Sequence, residues 1–312
     1  MGNTISEILR LKKEKNAIIL AHYYQTGDIQ DIADFVGDSL ALAQKAADNN
    51  AGIILFAGVK FMAETAKILS PAAKVLLPDL AAGCSLSDSC PPEGFKKFID
   101  ENPGRTIITY VNTSAEIKAM SDIICTSSNA VSIIESLPED EKIIFAPDRN
   151  LGNYILNKTG RDMLIWNGAC HVHEEFSLEA IIKLKESDRD AKIIVHPECE
   201  LPVRMVADYI GSTSALLSYV IKDKGKSYIV ATEPGIIHQM SKARPDKKFI
   251  PAPPKDSTCG CSECNFMKLI TVKKIYDTLV NESPEITLDD RLISAAEKPI
   301  RRMLEISHRL GL

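Results

Sequence analysis

The 312-residue chain has no basic run: its 37 Lys and Arg are outnumbered by 42 Asp and Glu, for a formal net charge of −5. Binding a phosphate backbone needs clustered cations that displace counterions, so no nucleic acid partner is expected. No stretch reaches the roughly 18 apolar residues of a membrane-spanning helix, so no membrane association is expected either. Residues 1–15 set Ile5, Ile8 and Leu9 against Lys12, Lys13 and Lys15, the pattern of an amphipathic helix, and lack the apolar core of a secretory signal. The expected location is cytoplasmic. Also missing is any short segment with the full four-cysteine spacing of a structural zinc site or a ferredoxin-type cluster.

What is present is an ordinary globular composition, 45% hydrophobic and 25% charged, over a length that suits several compact units. Eight cysteines in a reducing compartment point to metal binding, catalysis or packing before disulfides.

Three apolar, β-branched runs end in polar clusters: Ala17 to Leu20 before Ala21-His22-Tyr23-Tyr24, Thr106 to Thr109 before Tyr110-Val111-Asn112, and Lys192 to Val195 before His196-Pro197-Glu198. His22 and Tyr110 are 88 residues apart, and Tyr110 and His196 are 86 apart, a near-constant period of the kind internal repeats produce. Each run leads through a helical pattern to a second strand, stopping at Phe56-Ala57-Gly58, Cys125-Thr126-Ser127-Ser128 or Ile210-Gly211-Ser212-Thr213. Further helical runs follow (Phe61 to Leu69, Ala130 to Leu137, Ala215 to Ile221), then third strands at Lys74 to Leu77, Lys142 to Phe145 and Ser227 to Val230. Alternating strands and helices predict parallel sheets with right-handed crossovers, hence three α/β units. Ligands of such sheets bind beyond the strands' carboxyl ends, where the polar clusters lie, so one shared central site is expected. The units are expected at 1–88, 89–174 and 175–265, with a helical segment, 266–312, packing back on the core.

Cys84 and Cys170 both sit in small-residue turns and are 86 residues apart, which matches the period. In the third unit Cys259, Cys261 and Cys264 compete for the corresponding place. Three thiolates from separate segments suit an iron-sulfur cluster or a zinc site with an open fourth position. Cys90, Cys125 and Cys199 read as buried packing thiols. At the strand ends His22, Tyr24, Tyr110, Asn112, His196 and Glu198 assemble an acid–base set. Glu198 is the leading general base, on the expectation that a dry pocket beside His196 raises its proton affinity. His171 and His173 follow Cys170 closely and are read as metal ligands or turn residues. Ser127, Ser128, Gly211, Ser212 and Thr213, with Asp38-Ser39, stand where helices begin, a place for phosphate or for plain capping.

The segments Ala21-His22-Tyr23-Tyr24-Gln25, Gly37-Asp38-Ser39-Leu40, Tyr110-Val111-Asn112, Thr126-Ser127-Ser128-Asn129-Ala130, Pro147-Asp148, Trp166-Asn167-Gly168-Ala169-Cys170-His171-Val172-His173 and His196-Pro197-Glu198-Cys199 run through most of the chain. Together they resemble the quinolinate synthase family. The resemblance implies an α/β fold of three similar three-layer αβα domains in pseudo-threefold arrangement around a central active site. It implies an oxygen-sensitive 4Fe-4S cluster with three cysteine ligands and one open iron site. The ligands carried over are Cys84, Cys170 and Cys264, the last because Asn265-Phe266-Met267 follows it. The Cys259-x-Cys261-x-x-Cys264 spacing departs from the commoner family pattern, leaving any redox role of Cys259 and Cys261 open.

The implied reaction condenses iminoaspartate with dihydroxyacetone phosphate to quinolinate in NAD biosynthesis, losing phosphate and two waters. Proton transfer falls to Tyr24, His22, His196 and Glu198. Substrate binding falls to the same two histidines and Glu198 with Ser39, Tyr110, Asn112, Ser127, Ser128, His173 and Thr213. The implied functional partner is an aspartate oxidase or dehydrogenase that produces iminoaspartate. The competing readings are another trilobed iron-sulfur enzyme and a zinc-stabilised binding module without catalysis.

Overall fold

The structure is a computed structural model describing residues 2–256 and 262–312; Cys259 and Cys261 lie outside the described residues. The apolar runs form three four-stranded sheets in which every neighbouring pair is parallel. In the first, β1 (Ala17–His22), β2 (Phe35–Gly37), β3 (Ile53–Ala57) and β4 (Lys74–Leu76) lie in the order β2-β1-β3-β4. In the second, β5 (Thr106–Tyr110), β6 (Ile123–Cys125), β7 (Ile143–Ala146) and β8 (Met163–Ile165) lie in the order β6-β5-β7-β8. In the third, β9 (Lys192–Val195), β10 (Tyr209–Ile210), β11 (Ser227–Ala231) and β12 (Lys248–Pro251) lie in the order β10-β9-β11-β12. The central strands β3, β7 and β11 are buried along their whole length, which explains their continuous apolar sequences in place of alternation.

The repeat extends to individual hydrogen bonds. An aspartate just before the second strand of each sheet accepts from a backbone amide of the first strand, fifteen residues earlier. The pairs are Asp34 with Ile19 at 2.7 Å, Asp122 with Ile107 at 2.8 Å and Asp208 with Ile193 at 2.7 Å. These carboxylates take up first-strand amides that lie one residue before the pairing with the short second strand begins. Strand register repeats as well, pairing His22 with Gly37, Tyr110 with Cys125 and Val195 with Ile210.

This register corrects the expected repeat. Each unit has four strands, not three, and the stop at Phe56-Ala57-Gly58 belongs to β3. The counterpart of β6 and β10 in the first unit is β2, so Asp38-Ser39 corresponds to the polar turns at Thr126–Ser128 and Gly211–Thr213. β2 escaped the sequence pattern because it is three residues long and only half-buried at Phe35 and Val36. β12, a partly exposed edge strand, escaped for the same reason.

Helices cover the sheets, and several begin at a side-chain cap: Asp38 accepts from Ala41 N, Asp148 from Asn150 N and Leu151 N, and Ser212 from Ala215 N. The 20-residue helix Asp290–Arg309 buries Ile300 and Met303 and packs against β6 and the helices Ala115–Ala119 and Lys60–Leu69. It thereby spans the first two units, and Asn129 Nδ2 donates to Ser307 Oγ at 3.0 Å beneath it. Among the described residues no helix is long and apolar enough to cross a membrane.

Candidate active site

The polar ends of all three sheets line one cavity. From the first unit come His22, Tyr24 and Ser39; from the second come Tyr110, Asn112, Ser127 and Ser128. His173, His196, Glu198 and Thr213 complete the polar lining, and Cys84, Cys170 and Cys264 reach the same space. These residues therefore meet in one place, whereas His171, Gly211 and Ser212 do not line the cavity and Cys259 and Cys261 lie outside the described residues.

The three cysteines share a local design. Each is the residue immediately before a one-turn helix: Ser85–Asp88, His171–Glu174 or Asn265–Lys268. All three are free and half-buried. Burial pushes the Cys84 thiol up to about 12, the facing amides of Ser87 and Leu86 oppose this, and Cys264 raises it further. Cys170 is raised well above the usual thiol range, first by burial, then by Glu198 and Cys84. The three thiols thus lie within electrostatic reach of one another. Their turns also touch: Ser85 Oγ and His171 Nδ1 are 2.6 Å apart, and the His171 and Phe266 rings meet edge to face. A cysteine turn in each of three segments, converging without a disulfide, is a donor set that fits an iron-sulfur group, whose bound thiols are deprotonated outright. Cys170 Sγ also belongs, with His173 and Glu198, to a group whose ligand atoms all lie within 4.8 Å, close enough to hold a metal ion.

Opposite the thiols runs a connected polar network. Tyr110 OH donates to Glu198 Oε1 at 2.6 Å, and His173 Nδ1 lies 3.2 Å from Glu198 Oε2 and 3.2 Å from Cys170 Sγ. His173 Nε2 is 3.0 Å from Thr232 Oγ1, which in turn is 2.7 Å from Tyr24 OH. His196 stacks on His173 with ring centroids 4.6 Å apart, and its Nε2 is 3.2 Å from Ser127 Oγ. Ser128 Oγ donates to Asp38 Oδ2 at 2.6 Å. Asn112 Oδ1 is buried with no hydrogen-bond partner among the described residues. Thr232, just beyond β11, was not singled out as a site residue in the sequence, although it carries the same signal as the others, a polar residue just beyond a buried strand; Asp38, read there as a phosphate or capping position, is a cap.

The expectation for Glu198 is corrected. Burial raises its proton affinity, but His173, His196 and the Tyr110 hydroxyl outweigh burial and hold the carboxyl at about 2. It is an ionised acceptor. Burial does decide the two strand-end histidines, lowering His22 to about 4 and His196 to about 3, so both imidazoles are neutral. Tyr24 and Tyr110 are raised well above the phenol range by burial and by Glu198, and both remain protonated.

Comparison with known proteins identifies the family. The family model described as quinolinate synthetase A protein matches residues 6–305. Curated relatives called quinolinate synthase include those of Rippkaea orientalis, 59% identical over 306 residues (98% of this chain, 94% of that protein), and Nostoc punctiforme, 59% identical over 300 residues (96% and 92%). That of Thermosynechococcus vestitus is 56% identical over 303 residues (97% and 95%). With three cysteine turns and a polar network converging on one cavity, and with similarity running over nearly its whole length, this chain is an enzyme of the quinolinate synthetase A family.

Proposed function

We propose that the cavity condenses iminoaspartate with dihydroxyacetone phosphate to quinolinate, releasing phosphate and two waters, as a step of NAD biosynthesis in the cytoplasm. The observation that carries this reading is the meeting of three free thiols and an imidazole–phenol–carboxylate network in one largely buried space. Cys84, Cys170 and Cys264 would hold a 4Fe-4S cluster with one iron lacking a protein ligand. Bound there, it supplies Lewis acidity toward a substrate hydroxyl or carboxylate and eases dehydration.

The chain's own groups divide the proton chemistry. The amide of Tyr24 donates to His22 Nδ1 at 3.2 Å and that of Glu198 to His196 Nδ1 at 3.4 Å. A neutral imidazole whose Nδ1 accepts carries its proton on Nε2, so both histidines face the cavity as donors. They suit hydrogen bonding to substrate oxygens and the stabilisation of charge that develops there. Glu198 is the acceptor that orients Tyr110 and His173, and Tyr24 is the buried phenolic donor. The unpartnered Asn112 Oδ1 suits a substrate N–H or O–H. Thr213 at a helix start and Ser127 in the turn leading into the helix Ala130–Glu135 stand where phosphate is well received, whereas Ser39 heads a helix that the Asp38 carboxylate already caps. Between the two serines, Ser127 is the better phosphate contact, because Ser128 is committed to the Asp38 carboxylate, whose charge repels phosphate. An enclosed site also protects the imine from hydrolysis, and an aspartate oxidase or dehydrogenase would supply it.

Anaerobic purification, iron and sulfide analysis, and a quinolinate assay on the two substrates test this reading together. About four irons per chain with product formation supports it; a cluster without product moves the assignment to another trilobed iron-sulfur enzyme, and zinc without sulfide to a binding module. Cys264→Ala is expected to abolish the cluster and Cys259→Ala to retain it; the reverse result moves the third ligand.

A further inference from the structure

Two residues past the end of β7 stands Asp148, and two past the end of the equivalent strand β11 stands Glu233. Both are fully buried. Asp148 Oδ2 accepts from the Cys170 amide at 2.9 Å, and the Glu233 carboxylate reaches the helix that follows Cys264 through Lys268. The first unit has buried, apolar Val59 at this place. Repeated position and burial, with contacts to the turn at Cys170 and to the helix after Cys264, make these carboxylates supports for cysteine turns.

Glu233 carries more than Asp148 does. Its Oε2 accepts from Gly235 N at 2.7 Å, and its Oε1 lies 2.7 Å from Lys268 Nζ, on the one-turn helix that follows Cys264. Lys268 Nζ also donates to the Tyr24 carbonyl at 2.7 Å. Gln25 Nε2 donates to the Met267 carbonyl at 3.1 Å, adding a second grip from the Tyr24 segment. A Cβ at position 235 would come within 2.8 Å of both Glu233 Oε2 and the Tyr23 carbonyl, so the close packing here requires glycine.

We propose that Glu233 and Lys268 are positioning residues that tie the Cys264 turn and the Tyr24 backbone into one frame, so that the third thiol and the phenol keep a fixed relation. This rests on the reading of Cys264 as a cluster ligand. A carboxylate behind a ligand's backbone sets where its sulfur points, and loss of such supporting contacts characteristically weakens metal retention 10–100-fold.

The test uses Glu233→Gln, Lys268→Met and the double variant in the full chain. Each single variant is expected to lose iron to a chelator about 10–100-fold faster than the parent protein. In iron-free protein, alkylation of Cys264, followed by peptide mass spectrometry with Cys84 as internal reference, is expected to speed up. The double variant buries no uncompensated charge; it is expected to melt close to the parent and still to lose iron fast, separating positioning from folding. Parent-like chelation and Cys264 alkylation in the double variant would overturn the proposal. A parent protein that takes up no iron or sulfide sinks the cluster reading instead, and the alkylation ratio alone then decides the positioning role.

Discussion

The first and third sheets end their leading strands in the same turn and put different chemistry on it. In both, a histidine closes the strand and accepts at Nδ1 from the amide two residues on. In the first sheet that next residue is Tyr24, which burial keeps protonated; in the third it is Glu198, a carboxylate that accepts from the Tyr110 phenol and lies against His173 Nδ1. One turn thus delivers a donor and the other an acceptor to the same cavity. The second sheet, ending in Tyr110 and Asn112, supplies the phenol that ties to Glu198. A repeated backbone can therefore build an asymmetric site, because the turn fixes where a side chain goes while the neighbours from other sheets decide its charge.

The sharpest way to break this comparison is to neutralise the acceptor. Glu198→Gln is expected to lower kcat by on the order of 10³-fold while iron content stays unchanged; near-parental turnover would remove Glu198 from proton transfer. Removing the donor is expected to cost less. Tyr24→Phe leaves the backbone turn on His22 intact and is expected to lower kcat about 100-fold, with a melting temperature close to the parent's as the check on folding.

Thr232 joins the two sides, lying between Tyr24 OH and His173 Nε2. Thr232→Val is expected to lower kcat on the order of tenfold with little change in KM, and Thr232→Ser, which restores the hydroxyl, to recover most of it. Valine turning over as fast as serine would show that packing alone matters there. The smallest effect tests the shared scaffold. Asp208→Ala removes the carboxylate that caps Ile193 N and is expected to cost about 1–2 kcal/mol in chemical denaturation. Equivalent losses for Asp34→Ala and Asp122→Ala would confirm that the three aspartates do one job, whereas an unaffected midpoint in any of them would remove that position from the repeat.

Much of this was legible before any coordinates. The polar ends of β1, β5 and β9 follow buried apolar runs at a steady period, and parallel α/β sheets gather such ends on one side. The third member of the cysteine set rested on resemblance, since spacing alone left Cys259, Cys261 and Cys264 as alternatives. Less legible were the short edge strands, because three or four half-exposed residues carry little periodicity, and this displaced the repeat alignment in the first unit by one strand. Glu198 was misjudged because its proton affinity depends on His173 and Tyr110, which stand 25 and 88 residues away in the chain and meet it only in the fold.

By itself the sequence determined which residues could do chemistry and that they would lie at strand ends, because hydrophobic pattern sets the strands and strand polarity sets the side on which they finish. Only the tertiary structure decided protonation and partnership. Whether Glu198 is an acid or a carboxylate, and which phenol and imidazole it meets, depend on contacts between separate sheets. Electrostatic and hydrogen-bond energies are set by distance and burial in space, and neither is written in the order of residues along a chain.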